Sequence, residues 1–353
     1  MAATMHDVAR IAGVSIKTVS NVINDFPHVR AETRARVRKA IEELEYLPNL
    51  SARGLRSGRT GVISLIVPDI RNAYFSELAD AVMWAAEARG LSVIIEQAGY
   101  DRNRELLLLR GPRTQLVDGI LYSALALGEE DAGVLDSVNT PVVLLGERIF
   151  NGPTDHVTMQ NVEGVQAATE HLLGQGRRRV LAFGSHPGEE IGSAGLRLVG
   201  YKRALANAGV EFDETLVCPV ELWLRADGAK AMRDYLARNI PFDGVVAFND
   251  LLALGAMRVM QEAGIRIPHD VAVVGFDNID ETKYTLPSLS SIDPGREEIA
   301  EVAVEYLIER IASADTPLPP REHLTAFRLI ERESSAPNRP ATAPESLPSP
   351  VLL

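Results

Sequence analysis

The chain has 353 residues, 46% of them hydrophobic, and a formal net charge of −12. That length suits two or three folded units, the composition is ordinary for a globular protein, and a net negative charge taken whole argues against nucleic acid as a partner. No stretch approaches the roughly 18 apolar residues of a membrane helix, which excludes an ordinary spanning segment. The charge, however, is divided. Residues 1–60 hold ten Lys/Arg against six Asp/Glu, and the rest hold 26 against 42. A basic head on an acidic body binds phosphate locally while the body stays clear of non-specific DNA contact. The single cysteine, Cys218, excludes an intramolecular disulfide and a cysteine-rich zinc site. The first residues lack the basic and apolar regions of a signal peptide, so a cytoplasmic protein is expected.

At the start of the chain, Thr4 and Asp7 have the spacing of a capping box, which predicts a helix beginning near Met5. Val8, Ile11 and Ala12 give that helix one buried stripe, and Gly13 ends it in a left-handed conformation. Ser15 is a good N-cap for a second helix with Val19, Val22 and Ile23 on one face. Two short helices joined by a tight glycine turn are a helix-turn-helix, which places its second helix in a DNA major groove. Ile16, Lys17, Ser20 and Asn21 are expected to point outward, the polar ones towards base edges and Ile16 towards a thymine methyl. A third helix with Val37, Ile41 and Leu44, interleaved with Arg34, Arg36, Arg38 and Lys39, completes a three-helix module.

The run D-V-A-x-x-A-G-V-S-x-x-T-V-S-x-V-I-N at 7–24, then E-T-R-x-R-V at 32–37 and L-x-Y-x-P-N at 44–49, resembles the headpiece of the lactose/galactose-repressor (LacI/GalR) family. The resemblance implies a DNA-binding set that also includes Thr4, Ser15, Thr18 and Asn24. It further implies that residues 48–60 form a hinge helix on DNA, with Leu55 as a minor-groove wedge and Ala52 and Arg53 along the groove. Taken alone, that segment is too short and polar to hold a helix, and Gly54 weakens it further.

Beyond Gly61, apolar runs alternate with helical patterns. Strands are expected at 62–67, 91–96, 119–122, 142–145, 180–183, 244–248 and 271–275. Helical patterns run through 75–86, 102–116, 130–138, 162–174, 196–208, 225–239, 250–263 and 295–312. This alternation means a parallel, doubly wound α/β architecture, and about 270 residues of it suggest two lobes. Trp84, one of two tryptophans, lies mid-helix among alanines and is expected in the core. The tail from Ser334, rich in proline and serine, is expected to be disordered.

The body resembles the same family's effector domain, itself similar to periplasmic sugar-binding proteins. The resemblance implies a headpiece over 1–47, the hinge over 48–60 and an effector domain over 61–333. Within the domain, crossings near 160, 290 and 322 divide one lobe (61–160 and 291–322) from the other (161–290 and 323–333). In doubly wound sheets, ligands bind beyond the carboxyl ends of the strands. Ser123, Asn249 and Asp277 stand at such ends, although an Asn-Asp pair there also serves as a helix cap. By resemblance Asn249, Asp277 and Arg197 contact an effector, and Trp223 offers an aromatic platform for a pyranose. Tyr74 or Phe75 would close the cleft opposite it, with Arg148 near its rim. Two positions depart from the family pattern: Gln160 replaces an aspartate, and Gly146-Glu147-Arg148 replaces Asp-Arg.

No phosphate-binding, dinucleotide-binding, zinc-protease or serine-hydrolase motif is present, and Gly184-Ser185-His186-Pro187-Gly188 lacks the lysine of a phosphate loop. The seven histidines show no ligand spacing, so no enzyme activity, cofactor or metal is expected. The expected function is a DNA-binding transcriptional regulator, a repressor, that binds a palindromic operator as a homodimer under control of a sugar effector. The alternatives are an activator, a regulator answering a non-sugar metabolite such as a purine, and a sugar-binding protein without a DNA role.

Overall fold

The computed structural model describes residues 3–23, 26–46, 59–313, 316 and 318–336, in two compact units, Met1–Gly61 and Val62–Leu353. The first unit contains α1 (Met5–Ala12), α2 (Ile16–Ile23) and α3 (Ala31–Glu43). Both halves of the capping box form: the Asp7 backbone N–H donates to Thr4 Oγ1 at 3.3 Å, and the Thr4 N–H donates to Asp7 Oδ2 at 3.1 Å. The Thr4 hydroxyl and Arg10 hold the Asp7 carboxyl down at about 2. Gly13 takes φ 64° at the end of α1, the conformation expected of it. Val8, Ala9, Ala12, Val19, Val22, Val37, Ala40 and Tyr46 make the core.

Two expectations for this unit need correction. Ile11 is 45% exposed. Each helical residue turns about 100°, so the stripe formed by Val8, Ala9 and Ala12 leaves Ile11 on the flank. Ser20, expected to face outward, is buried. Its helical neighbours at i−4 and i+3, Ile16 and Ile23, both pack against the core and draw Ser20 inside.

The second unit is two lobes built from one chain. The first lobe takes β1 (Val62–Val67), α4 (Ala73–Glu87), β2 (Ser92–Gln97), α5 (Arg102–Arg110), β3 (Gly119–Ser123), α6 (Ala132–Asp136), β4 (Val142–Leu145) and β5 (Asp155–Met159). The chain then crosses into α7 (Asn161–Gly174), β6 (Val180–Ser185), α8 (Ser193–Asn207), β7 (Val217–Pro219), α9 (Arg225–Leu236), β8 (Gly244–Ala247), α10 (Asp250–Glu262), β9 (Ala272–Phe276) and β10 (Ser290–Asp293). It returns for α11 (Arg296–Ala312) and β11 (Glu322–Thr325), and crosses again to β12 (Arg328–Ile330). The sheet orders are β11-β5-β4-β3-β1-β2 and β12-β10-β9-β8-β6-β7, parallel throughout except for β12 against β10. The inner strands are buried along their whole length, which is why they read as unbroken apolar runs.

β10 pairs in the second sheet and β11 in the first, so the later crossings fall at 294–295 and 326–327, beyond the expected 290 and 322. The helix expected over 102–116 stops at Arg110, and Pro112 starts a separate 3-10 turn over Pro112–Leu116. Trp84 is 68% exposed, not core. The buried face of α4 is Leu78, Ala79, Val82, Ala85 and Ala86, and Trp84 lies on the far side. The tail begins later than expected, because Ser334 and Ser335 are fully buried. Ser334 Oγ donates to the Val273 carbonyl at 2.7 Å, and Ser335 Oγ lies 2.7 Å from Ser290 Oγ. Residues 337–353 lie outside the described residues.

Candidate functional site

In the first unit Ser15 caps α2, its Oγ accepting from the Thr18 N–H at 3.1 Å and lying 2.9 Å from Thr18 Oγ1. The hydroxyls of Thr4, Ser15 and Thr18 are thus engaged in capping. Lys17 is exposed, while Ile16 and Asn21 are half-buried. Asn24, Ala52, Arg53 and Leu55 lie outside the described residues.

In the second unit one cavity of about 120 Å³ lies between the lobes, beyond the carboxyl ends of both sheets. Tyr74, Phe75, Ser123, Arg148, Arg197, Trp223, Asn249 and Asp277 all line it. The elements place them as the doubly wound rule requires. Ser123 ends β3, Arg148 follows β4, Asn249 follows β8 and Asp277 follows β9, while Tyr74–Phe75 occupy the first turn of α4 and Arg197 begins the second turn of α8.

Arg197 is no solvated helix-start residue, being only 3% exposed. Its Nε donates to Asn161 Oδ1 at 2.7 Å, and its Nη1 donates to the Phe248 carbonyl. Its guanidinium sits 3.8 Å from the Phe276 ring centroid and 5.2 Å from that of Trp223, and Nη2 lies 3.8 Å from Asp277 Oδ1. Burial pushes the guanidinium down, and the Asp277 and Glu147 carboxylates oppose that shift. Burial also raises the Asp277 carboxyl, to about 7, against Arg197 and Arg296. Asp277 has φ 110°, a region that side-chain-bearing residues seldom occupy and that costs of order 1–3 kcal/mol. Such strain persists where the surroundings over-determine a position, and here Arg296 Nη1 donates to the Asp277 carbonyl at 3.1 Å.

Asn249 does serve as a cap: Oδ1 accepts from the Leu252 N–H at 2.9 Å. Its Nδ2 donates to the Trp223 carbonyl at 3.2 Å, so the same amide fixes the backbone of the proposed platform. The Trp223 Nε1–H donates to the Gly184 carbonyl at 3.0 Å. Gly184 takes φ 118°, and a Cβ there would lie 2.6 Å from Leu252 Cδ1, so the acceptor depends on glycine.

Residues 4–49 match the model described as bacterial regulatory proteins, lacI family, and residues 169–335 match a periplasmic binding protein-like domain. The HTH-type transcriptional repressor PurR of Vibrio atlanticus is 34% identical over 317 residues, covering 89% of this chain and 93% of its own. The chain belongs to the LacI family of bacterial regulatory proteins. This LacI-family chain is also 49% identical to a solved putative transcriptional regulator of LacI family from Sanguibacter keddieii, with a TM-score of 0.74 over 79% of this chain and 100% of that one. A solved complex of the transcriptional regulator CelR with cellobiose is 31% identical, with a TM-score of 0.69 over 94% and 99% of the two chains. The family and architecture expected from the motifs are therefore established, and the chain is a DNA-binding transcriptional regulator.

The LacI-family cleft also contains residues that the sequence did not single out. Thr158 and Met159 end β5, His186 follows β6, and Glu189 and Ser193 flank the start of α8. His186 lies in the Gly184–Gly188 stretch, and its position directly after a strand is the signal in the sequence that points to the cleft. His186 Nδ1 is 2.8 Å from Glu189 Oε2, and its ring centroid is 5.4 Å from that of Trp223. Burial acts to raise the Glu189 carboxyl, but the hydrogen bond to His186 and the charge of Arg148 leave it lowered. Arg148 Nη1 donates to the Ile191 carbonyl at 3.1 Å and lies 3.7 Å from Glu189. Gln160, the other departure from the family pattern, does not line the cavity; its Nε2 donates to the Thr325 carbonyl at 2.9 Å, at the last crossing.

Polar atoms without partners gather here. Among the described residues, buried side-chain atoms lacking a hydrogen bond include Glu147 Oε1, Arg148 Nε, Thr158 Oγ1 and His186 Nε2, and all four residues line the cavity. Each such atom costs about 1–3 kcal/mol when left unpaired. The four together offer an acceptor, a donor and two groups that take either role.

Proposed function

We infer that the cleft of this regulator binds a sugar, and that its occupancy controls the grip of the headpieces of a homodimer on a palindromic operator. The observation that carries the reading is the set of four unpartnered polar atoms lining a cavity that the Trp223 indole also lines. Hydroxyls both donate and accept, so a polyhydroxylated ring satisfies such a mixed set, and its C–H face packs on Trp223. Tyr74 and Phe75 close the opposite wall from the first lobe, Ser123, Arg148, Arg197 and Asp277 supply polar contacts, and Asn249 holds the platform.

Two relatives favour a sugar, a solved cellobiose complex and a ribose operon repressor, and a purine is the rival effector class. A thermal-shift screen of the full chain against pentoses, hexoses, gluco-disaccharides and nucleobases separates them, because a ligand that binds only the folded state raises the melting temperature. A shift with a sugar and none with nucleobases is expected. A shift with hypoxanthine or guanine alone would replace the sugar reading with the purine one.

In the headpiece, Lys17 and Asn21 are assigned to base edges and Ile16 to a thymine methyl. Thr4, Ser15 and Thr18 hold the helix ends against the phosphate backbone.

A further inference from the structure

One acid of the first lobe is fully buried behind the cleft wall without lining it. Glu105 stands on α5 and is 0% exposed, while Arg102, one turn earlier on the same helix, pairs with Asp131 instead. The Glu105 carboxylate takes four donors. Oε1 accepts from the Leu125 N–H at 3.1 Å and the Ala126 N–H at 3.0 Å. Oε2 accepts from the Leu127 N–H at 2.8 Å and the Tyr122 hydroxyl at 2.6 Å. Burial, and then the charge of Glu105, push the Tyr122 phenol up, so it remains a donor. Three consecutive peptide N–H groups thus meet on one side chain, as they would on a bound anion.

A trans peptide unit is planar, with its N–H and C=O on opposite sides. The carbonyls of Ala124, Leu125 and Ala126 are therefore turned away from Glu105. Ser123, Ala124 and Leu125 line the cavity, as does Gly146. A Cβ on Gly146 would lie 3.7 Å from Ser123 Oγ and 4.0 Å from the Ala124 carbonyl oxygen. Residues 124–128 form no helix or strand, so this stretch of the wall takes its shape from α5 through one carboxylate.

We propose that Glu105 is a positioning residue of the effector site, orienting the segment after β3 so that Ser123 and the carbonyls of Ala124 and Leu125 are presented to sugar hydroxyls. The proposal rests on the sugar reading of the same cleft. A wall ordered before the sugar arrives spares the cost of ordering it on binding. Gln cannot replace Glu105, because its NH2 group would face donors. Asp keeps the charge but is one methylene shorter and cannot reach all four donors.

The test is isothermal titration of the full chain with D-ribose, D-glucose, D-galactose and cellobiose, in the wild type, Glu105→Gln and Glu105→Asp. Urea titrations and hydrogen exchange at the Leu125, Ala126 and Leu127 amides accompany it. A sugar that binds the wild type is expected to bind both variants about 10-fold more weakly, since buried donors lose their acceptor. The three amides are expected to exchange slowly in the wild type and faster in the variants, while those of β1 and β3 stay protected. A variant that unfolds at lower urea yet binds the sugar as the wild type does makes Glu105 a stability residue and overturns the assignment alone. Fast exchange of the three amides in the wild type overturns it whatever the variants do. If no sugar binds the wild type, the sugar reading falls and the assignment falls with it.

Discussion

Arg197 carries more of the cleft than any other side chain. It is charged, almost wholly buried, and tied to Asn161 at the first crossing and to Phe248, Asp277 and the Phe276 ring at strand ends of the second lobe. Removing one partner of such a buried pair costs about 3–5 kcal/mol, because the remaining carboxylate is left uncompensated. Arg197→Ala is therefore expected to lower the unfolding free energy of the body by about 3 kcal/mol in urea titrations and to abolish the effector response. A loss under 1 kcal/mol would mean that Asp277 does not depend on it. Asp277 makes a separate prediction about pH. Its folded carboxyl is raised to about 7, above the unfolded value of about 3.9. The stabilisation from the protonated form is therefore complete below about pH 4 and lost as pH rises through about 7. Relative to the wild type, Asp277→Asn should gain about 4 kcal/mol between pH 4 and 8, read as the difference between two series of urea titrations. A difference independent of pH would show that Asp277 is ionised throughout.

At the scale of elements, two short-range devices can be tested. Thr4→Ala removes the capping hydroxyl of α1 and should destabilise the headpiece by about 1 kcal/mol, seen as faster hydrogen exchange at the Val8 amide. Gly184→Ala forces a Cβ towards Leu252 at φ 118° and should cost about 1–3 kcal/mol, with a shift in Trp223 fluorescence as its indole loses the Gly184 carbonyl. Elements built from local signals were legible in the sequence: the capping box, the Gly13 terminus and the buried apolar strands. Elements that depend on distant partners were not. Strand β5 reads Asp-His-Val-Thr-Met, and its buried Asp155 is tolerated only because Arg310 and Arg321 both bond it, at 2.7–2.8 Å, from the far end of the chain. The same long-range closure hid the buried serines at 334–335 and moved two crossings. Trp84 misled through its hydrophobicity, because the small residues around it left the face of α4 ambiguous.

At the scale of the whole molecule, the eight effector residues expected from the sequence line one cavity because the doubly wound architecture gathers its strand ends there. For Ser123, Asn249 and Asp277 that followed from their place at strand ends, whereas Tyr74, Phe75, Arg148, Arg197 and Trp223 followed from the family resemblance. The network of Glu147, Ser193, Arg148, Glu189 and His186 across the cleft did not, since pairing between lobes is set by the crossings rather than by local spacing. The proposed regulation requires that occupancy of this cleft and operator binding be thermodynamically linked. The most direct measurement is titration of the full chain with the sugar that shifts its melting temperature, with and without an inverted-repeat operator duplex, alongside operator titrations with and without that sugar. Each ligand is expected to change the affinity of the other by the same factor, typically about 5–150-fold for coupled sites. One identical sugar affinity with and without operator would contradict it.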